Sequence, residues 1–492
     1  MPSPLTNGQA LPRAARLGLF LLGAVFIAAA FAGWFAAPVG VPLAAVWGLA
    51  AGLAAGIFLP RALKLIEKTS PVKLLILALA VTLATRAAWL LATRTEPIMD
   101  FERMYSAAAA LADGSPLPQA RYISMFPHTL GYPMFLSVLF RVTGPSVLAA
   151  QGFNLVLSLV CAALIFFIAR RACGNAAGFL AATVWALLPS QIIQTSLVCN
   201  ELLHLTLMLA SIAIFTRLSG EKDRHAARVL ADWAALGAAV GFSSMVRPVG
   251  PVLLIAFALC FLAFSPSPFR FKLTRLNLQK LLPLAAMTLA FWIVTSLFSL
   301  WADAALEQKS TSSMGWNLYV GMNYERHGAW SAADHELMAA RMESGMTAAG
   351  IQEDFLRDGL SRLSENARGG RLIPLALDKF TRIWSHDYVT AEWLSQSAGA
   401  SSPLSMRGTV LFGGVVAACD IGWFFLLGLA GVGLWVMFRK KNNAFCLPVT
   451  ILTGLVLAFS VLEGNPRYHF PASALLCLCA AGIVLVPQKA TK

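Results

Sequence analysis

The amino-acid sequence predicts an all-α polytopic membrane protein with about twelve transmembrane helices. Of its 492 residues, 58% are hydrophobic and only 13% are charged, and the mean hydropathy is +0.69. Soluble proteins carry about 25% charged residues, so this balance excludes the soluble globular classes. Apolar stretches near the ~20 residues that cross a bilayer recur along the whole chain. A cleavable signal peptide is not expected, because the first stretch is long and runs almost directly into a second.

Twelve spans are predicted in order along the chain. The first two form an N-terminal hairpin within residues 17–60, for which we expect no catalytic role. The fifth span is the shortest of the early ones. The predicted spans cover residues 17–37, 41–60, 73–93, 146–169, 175–191, 197–216, 229–246, 249–265, 281–300, 408–437, 444–462 and 470–487.

Basic residues gather in alternate connections between these spans. Seven short segments on one side carry more than half of the 38 Lys and Arg residues. Because short cytoplasmic loops are enriched in Lys and Arg, this bias predicts that both termini lie in the cytoplasm. It also accounts for much of the net charge of +14 without a nucleic-acid partner. Most of the eight cysteines fall inside spans, which favours core packing over a disulfide framework.

This topology places two long loops on the outer side. The first covers residues 94–145, with a helix predicted after Asp100 and a second apolar helix lying in the interface. The second covers 301–407 and divides the membrane core into 1–300 and 408–492. Amphipathic helices are predicted there at about 348–365 and 372–384, so this loop is interpreted as a lid or acceptor platform. Its aromatic residues suit either stacking on sugars or anchoring at the interface: Trp316, Tyr319, Trp330, Tyr388 and Trp393.

Four charged residues from separate stretches share the outer membrane face. Asp100, Glu201, Arg247 and Arg467 all fall at or near the outer ends of spans. A carboxylate held at a membrane surface is a candidate for chemistry. The alternative for Asp100 is a structural acid that caps the helix after it. Glu201 is a second candidate acid that positions the acceptor, binds a metal or pairs with Arg247.

Other candidates carry weaker signals. With Glu201, His204 forms a Glu-x-x-His pair that offers two ligands to a possible divalent metal. Arg86 lies within the third span, where a lone charge is costly, so we expect an acid or a phosphate beside it. Arg247 and Arg467 are candidates for binding phosphate, or they snorkel to the interface. Tyr468 and His469 follow Arg467 and suit either substrate binding or an aromatic belt.

An ordered set of motifs resembles the membrane glycosyltransferases of the GT-C fold. The similar group contains the ArnT-like and protein-mannosyltransferase-like enzymes, the glycosyltransferase 39 type. The chain departs from many relatives because Phe101 separates Asp100 from Glu102 where they have adjacent acids. The segments that carry the resemblance are Asp100 with Tyr105 five positions on, 127–133, 188–190 with 196–201, 245–248, 315–330 and 465–471.

The resemblance implies transfer of a sugar from a polyprenyl-phosphate carrier to an acceptor on the outer face of the cytoplasmic (inner) membrane. It implies Asp100 as the base and Glu201 as a second acid. It implies substrate binding by Arg86, Tyr105, Arg247, Arg467, Tyr468 and His469. The acceptor remains open between a glycan, a lipid and a protein. Two other classes also remain open, a transporter or flippase of a lipid-linked sugar and an O-antigen polymerase or ligase.

Overall fold

A computed structural model shows a bundle of helices, which confirms the predicted all-α class. Among the described residues, the only β-type pairing is an isolated antiparallel bridge between Thr95 and Ala398. Parts of the predicted spans and of the basic segments lie outside the described residues, at 36–41, 220–224, 265–277 and 486–492. The structure describes residues 13–35, 42–219, 225–264, 278–399, 402, 404–405 and 409–485.

Thirteen helices precede the long segment that was predicted to be an outer loop. They are α1 Arg13–Trp34, α2 Pro42–Ile66, α3 Pro71–Ala92, α4 Asp100–Asp113, α5 Ala120–Met125, α6 Gly131–Thr143, α7 Val147–Cys173, α8 Asn175–Leu187, α9 Pro189–Ile193, α10 Glu201–Leu218, α11 Ala226–Val246, α12 Gly250–Phe264 and α13 Leu278–Leu306. Three of them, α4 to α6, lie in the predicted first outer loop, and the others coincide with predicted spans, in several cases extending beyond the predicted bounds.

Eight further helices complete the described chain. Five of them lie between α13 and the next apolar helix, and two of these confirm the predicted amphipathic helices. They are α14 Met314–Gly321, α15 Ala332–Glu343, α16 Ala348–Arg368, α17 Leu372–Trp384, α18 Val389–Ser397, α19 Val410–Arg439, α20 Cys446–Val461 and α21 Phe470–Ala480.

The described helices account for ten or eleven of the twelve predicted spans. Ten described helices are long and apolar enough to cross a membrane, or up to eleven if a bent pair counts as one span. The fifth predicted span is that pair, broken by 69° at Leu188 because Pro189 cannot continue the hydrogen bonding of α8. The eighth corresponds to α12, of which the 15 described residues extend about 22 Å.

The N-terminal hairpin packs closely on the rest of the bundle. Gly48, Gly52 and Gly56 recur every fourth residue and therefore share one face of α2. A Cβ atom on Gly52 would lie 2.1 Å from the carbonyl oxygen of Phe425, and one on Gly48 would lie 2.6 Å from that of Ile421. Such small residues let two membrane helices approach at backbone distance. The contact between α2 and α19 therefore depends on this glycine stripe.

A buried lysine joins the helices after α13 to the membrane bundle. Lys379 of α17 is 1% exposed, and its Nζ donates hydrogen bonds to three backbone carbonyls. One belongs to Gly321 at the end of α14, at 3.1 Å. The others belong to Ser460 and Leu462 at the end of α20, at 3.2 and 2.5 Å. These carbonyls are the unpaired acceptors of two helix ends, so one ammonium group satisfies both.

Replacing Gly52 by Leu is expected to destabilise the protein, because the new side chain would collide with the backbone of α19. Overpacking of this kind costs about 1–3 kcal/mol of unfolding free energy. Thermal unfolding of the detergent-solubilised protein measures the loss. Gly18→Leu is the matched control, since no atom lies within 4 Å of a Cβ at Gly18. Equal melting temperatures for the two variants would contradict the packing account.

Candidate functional site

Arg467 joins two carboxylates at one end of the helix bundle. Its Nη2 lies 3.4 Å from Oδ2 of Asp100, and its Nε lies 4.0 Å from Oε1 of Glu201. A second guanidinium, that of Arg247, donates a hydrogen bond to the same Glu201 oxygen. The four charged residues that the sequence assigned to one membrane face therefore form one cluster. They arrive from α4, α10, the end of α11 and the segment before α21.

Asp100 is held by guanidinium groups and does not cap its helix. It is the first residue of α4, after Met99 at a positive φ of 47°. Arg103, one turn later, donates a 2.6 Å hydrogen bond to Oδ1 of Asp100. No side-chain capping bond is present at the start of α4, so the capping alternative is wrong. The Asp100 side chain is 35% exposed, which leaves one side of the carboxylate open to an incoming molecule.

Glu201 and Arg247 form a buried ion pair, as one alternative for Glu201 proposed. Their side chains are 3% and 10% exposed. Glu201 begins α10, where the helix dipole favours a negative charge. Arg247 follows α11 in an extended conformation, and its guanidinium lies 5.1 Å from the ring centre of Tyr468. The ring thus positions a cation, and Arg247 does not snorkel to the interface.

Several polar atoms of this cluster lack partners among the described residues. They are Oε2 of Glu201, Nε of Arg247 and Nη1 of Arg467. Buried donors and acceptors are nearly always hydrogen-bonded in folded proteins. The unpaired guanidinium nitrogens therefore give the cluster the capacity to bind an oxyanion.

A pocket opens beside Arg467 with cationic, acidic and aromatic walls. Phe101 lies in its wall and packs against Trp393, with 5.0 Å between ring centres. Phe101, which separates Asp100 from Glu102, therefore forms part of the pocket wall. Glu102 itself is exposed and accepts a hydrogen bond from Ser106. The pocket is lined by Phe101, Gln194, Leu197, Glu201, Val389, Thr390, Trp393, Arg467, His469 and Phe470.

Tyr468 and His469 are built into the site and do not form an exposed aromatic belt. The Tyr468 ring stacks on Phe459 with centres 4.9 Å apart. His469 is 2% exposed, and its ring lies 5.1 Å from that of Trp423. Its Nε2 is 2.7 Å from Oδ1 of Asp387, a residue that no feature of the sequence singled out.

Arg86 is placed differently from the prediction. Its Nη1 donates a 2.7 Å hydrogen bond to the carbonyl of Ala186, and its guanidinium lies 4.7 Å from the ring centre of Trp185. In the described part of the chain no acid forms an ion pair with Arg86, and the alternative of a phosphate partner stays a prediction. The break after Leu187 explains the pairing, because carbonyls in the last turn of α8 lack helical donors.

Tyr105 and His204 have their described ring and hydrogen-bond contacts with residues other than the four charged ones. Tyr105 packs its ring against Phe140 at 5.4 Å, and burial, with the charge of Glu102, raises its pKa. His204 Nδ1 lies 3.1 Å from Oγ of Ser243. Across the described residues, no group of three or more His, Cys, Asp or Glu is arranged to hold a metal ion.

Two of the aromatic residues proposed as sugar platforms are core residues. Trp316 and Tyr319 are 4% and 6% exposed and both pack on Phe355. Trp330 is 55% exposed. Trp393 is the one that reaches the cluster, since Arg467 lies 5.7 Å from its ring centre. For Trp330, Tyr388 and Trp393, stacking on sugars and anchoring at the interface both stay predictions.

Three residues near the cluster escaped the sequence analysis. Burial raises the pKa of Glu463 to about 6, with the charge of Asp100 adding and that of Arg467 opposing. Burial lowers the pKa of His128 to about 4, and Arg247 and Arg467 add to that effect. Arg103 lies 4.4 Å from the ring centre of Tyr122. Each had a local signal, because Glu463 lies four residues before Arg467, Arg103 lies three residues after Asp100, and His128 lies in the 127–133 motif.

A comparison with known protein families covers three of the six motif segments. Residues 127–301 match the family described as Dolichyl-phosphate-mannose-protein mannosyltransferase, which confirms the predicted resemblance. No curated protein matches the chain. Together with the ten apolar helices, the family match indicates a multi-pass membrane protein.

Solved structures of two membrane proteins are similar to this chain at low identity. One is the archaeal oligosaccharyltransferase AglB from Archaeoglobus fulgidus in complex with an inhibitory peptide and a dolichol-phosphate. It is 12% identical with a TM-score of 0.45, over 85% of this chain and 50% of that chain. The other is ArnT from Cupriavidus metallidurans bound to undecaprenyl phosphate, 14% identical with a TM-score of 0.35, over 84% and 77%. The chain thus spans about half the length of AglB.

Glu463→Gln is expected to change how stability depends on pH. The pKa of Glu463 is raised from 4.5 to about 6, so the native state favours the neutral carboxyl group. The stabilising contribution of the neutral Glu463 carboxyl group is complete below pH 4.5 and is lost as pH rises through about 6. The wild type should therefore lose thermal stability relative to Glu463→Gln between pH 4.5 and 7. The exposed Glu365→Gln variant should follow the wild type, and parallel curves for all three proteins would contradict the shift.

Proposed function

We propose that this membrane glycosyltransferase of the GT-C type moves a sugar from a polyprenyl-phosphate carrier to an acceptor hydroxyl, with Asp100 as the base. The observation that carries the proposal is the cluster in which Arg467 joins Asp100 to Glu201 beside a pocket. A base and a phosphate-binding cation must lie close together for this reaction. The family match to residues 127–301 supports the same class of chemistry.

The reaction is a substitution at the anomeric carbon of the sugar. The acceptor oxygen forms a bond to that carbon, and the bond from the carbon to the phosphate oxygen breaks. The acceptor proton passes to the Asp100 carboxylate, and the bonding electron pair leaves on the polyprenyl phosphate. General base catalysis by a positioned carboxylate contributes about 10²–10⁴-fold. Cations near the phosphate stabilise the charge that develops on the leaving group.

The surroundings of the two carboxylates suit different roles. Asp100 is partly exposed and reaches only guanidinium groups, so an acceptor hydroxyl can approach it. Glu201 is buried and orients Arg247 and Arg467, whose planar guanidinium groups match phosphate oxygens. We therefore assign proton removal to Asp100 and orientation of the two cations to Glu201. Phosphate binding would use the guanidinium nitrogens that have no partner at present.

The site is proposed to face the outer side of the cytoplasmic membrane, with both termini in the cytoplasm. The support is the distribution of charge, because basic residues concentrate at the opposite ends of the helices. Arg170 and Arg171 end α7, and Arg439 ends α19. Short cytoplasmic segments are enriched in such residues. The acceptor is a glycan, a lipid or a protein presented at that outer face.

Asp100→Asn is expected to lower the rate of sugar transfer at least about 100-fold, because an amide cannot take the acceptor proton. The measurement uses purified protein, a polyprenyl-phosphate sugar and a cell-envelope extract, and follows the release of free polyprenyl phosphate. Glu102→Gln is the control, because Glu102 is exposed and contacts Ser106 instead of Arg467. It should retain the wild-type rate.

Unchanged release by Asp100→Asn would refute its role as the base. A loss in Glu102→Gln equal to that in Asp100→Asn would show that the two acids act as a pair. Thermal unfolding of both variants distinguishes lost chemistry from lost folding. Asparagine preserves the size of the side chain, so we expect the fold to be retained.

A further inference from the structure

Both ring nitrogens of His469 face oxygen atoms that accept hydrogen bonds. Nδ1 lies 2.5 Å from the carbonyl oxygen of Pro466. Nε2 lies 2.7 Å from Oδ1 of Asp387. A carbonyl oxygen and an ionised carboxylate have no proton to donate, so each ring nitrogen must carry its own. When Asp387 is ionised, both ring nitrogens of His469 therefore donate, and the ring is an imidazolium.

The pair is enclosed by other parts of the structure. Asp387 is 3% exposed, in the short turn between α17 and α18, and its backbone N–H donates a 3.1 Å hydrogen bond to Oδ1 of Asp420 on α19. The Trp423 ring, also on α19, lies against the imidazole. Because the imidazole is fixed on several sides, its charge has a fixed position.

The cationic end of this pair faces the pocket. His469 lines it together with Arg467, Trp393 and Glu201, whereas Asp387 lies behind the ring and outside the lining. An anion in the pocket therefore meets the imidazolium before the carboxylate. Coulomb attraction falls with distance, so the pair as a whole attracts a negative charge placed there.

We propose that Asp387 is a positioning residue that keeps His469 charged, and that His469 joins Arg467 and Arg247 in binding the phosphate of the polyprenyl-phosphate donor. This inference rests on the proposed function and extends it to a residue outside the pocket. Both N–H groups of His469 are already engaged. The ring consequently acts through its charge and not through a hydrogen bond to the phosphate.

Several titratable groups face His469 and set the pH range of a test. Arg467 and Tyr468 precede it in the chain, and Glu201 lies across the pocket. Asp420 of α19 lies behind Asp387. His386 precedes Asp387, and burial lowers its pKa to about 4, with the charge of His469 adding to that effect. His386 therefore stays neutral between pH 5.5 and 8, whereas Glu463, with its pKa of about 6, titrates in that range in the wild type and the variants alike.

The test measures binding of radiolabelled polyprenyl phosphate to the purified full-length protein between pH 5.5 and 8. Asp387→Asn keeps an oxygen that accepts from Nε2 but removes the counter-charge. An unsupported histidine is charged only below about pH 6.5. We expect about tenfold weaker binding at pH 8, since a charged partner adds roughly 1.4 kcal/mol. The difference should disappear at pH 5.5, where the ring is charged again.

Asp378→Asn is the matched control. Asp378 is an acid of α17 that pairs with Arg382 and His327 and is 37% exposed. The Asp378→Asn variant should bind polyprenyl phosphate as tightly as the wild type at every pH. If Asp387→Asn does not fold, His469→Gln provides the second variant. It should show the same loss at pH 8 and no recovery at pH 5.5.

Three results would overturn the inference. All three concern Asp387→Asn: binding equal to that of the wild type at pH 8, a loss that is the same at pH 5.5 and pH 8, and tighter binding than the wild type at pH 8. Tighter binding would mean that the negative charge of Asp387 only weakens the attraction between the cations and the phosphate. Because the binding of polyprenyl phosphate is measured without sugar transfer, the result tests this inference separately from the proposed function. A wild type that binds polyprenyl phosphate but transfers no sugar would refute the proposed function and leave this inference standing.

Discussion

The ion pairs around Arg467 are the interaction on which the arrangement of this protein depends. Taking carboxylates and guanidinium groups out of water costs several kcal/mol per ion, and good geometry must offset that cost. Asp100, Glu201 and Arg247 are brought to Arg467 by helices that lie far apart in sequence. Removing one partner would leave a buried charge uncompensated. The helix ends that carry these residues are therefore constrained to meet at one place.

The rest of the structure supports that meeting point from two sides. Lys379 holds the end of α20, just before Glu463 and Arg467, against the helices that follow α13. Burial lowers the pKa of Lys379 to about 7, with the charge of Glu463 opposing. A Cβ on Gly321 would lie 2.4 Å from the backbone of Leu462, so the backbones themselves touch there. Movement of these helices would therefore shift Arg467 directly.

The sequence predicted that four charged residues would lie at one membrane face, and the structure brings them into one cluster. Asp100, Glu201, Arg247 and Arg467 each lie at the end of an apolar stretch, and the charge bias placed those ends together. Predicting that these four residues converge required no knowledge of helix packing. The same argument predicted the amphipathic helices α16 and α17, whose apolar spacing is local information.

The sequence could not predict contacts between residues that lie far apart along the chain. Asp387 lies 82 residues from His469 along the chain, and nothing local links them. The carbonyl partner of Arg86 exists only because Pro189 ends α8 early, and the apolar composition hid that break. Trp316 and Tyr319 looked like surface aromatics because the segment around them is less apolar than the spans. Their burial follows from packing on Phe355.

A structure of the protein with polyprenyl phosphate bound in lipid nanodiscs tests the central claim most directly. The account predicts the phosphate at the cluster, with its oxygens contacting the guanidinium groups of Arg467 and Arg247. A second pocket lies at the other end of the bundle, where Arg171 Nε donates to the carbonyl of Thr216. Phosphate density in that pocket, with none at Arg467, would contradict the account.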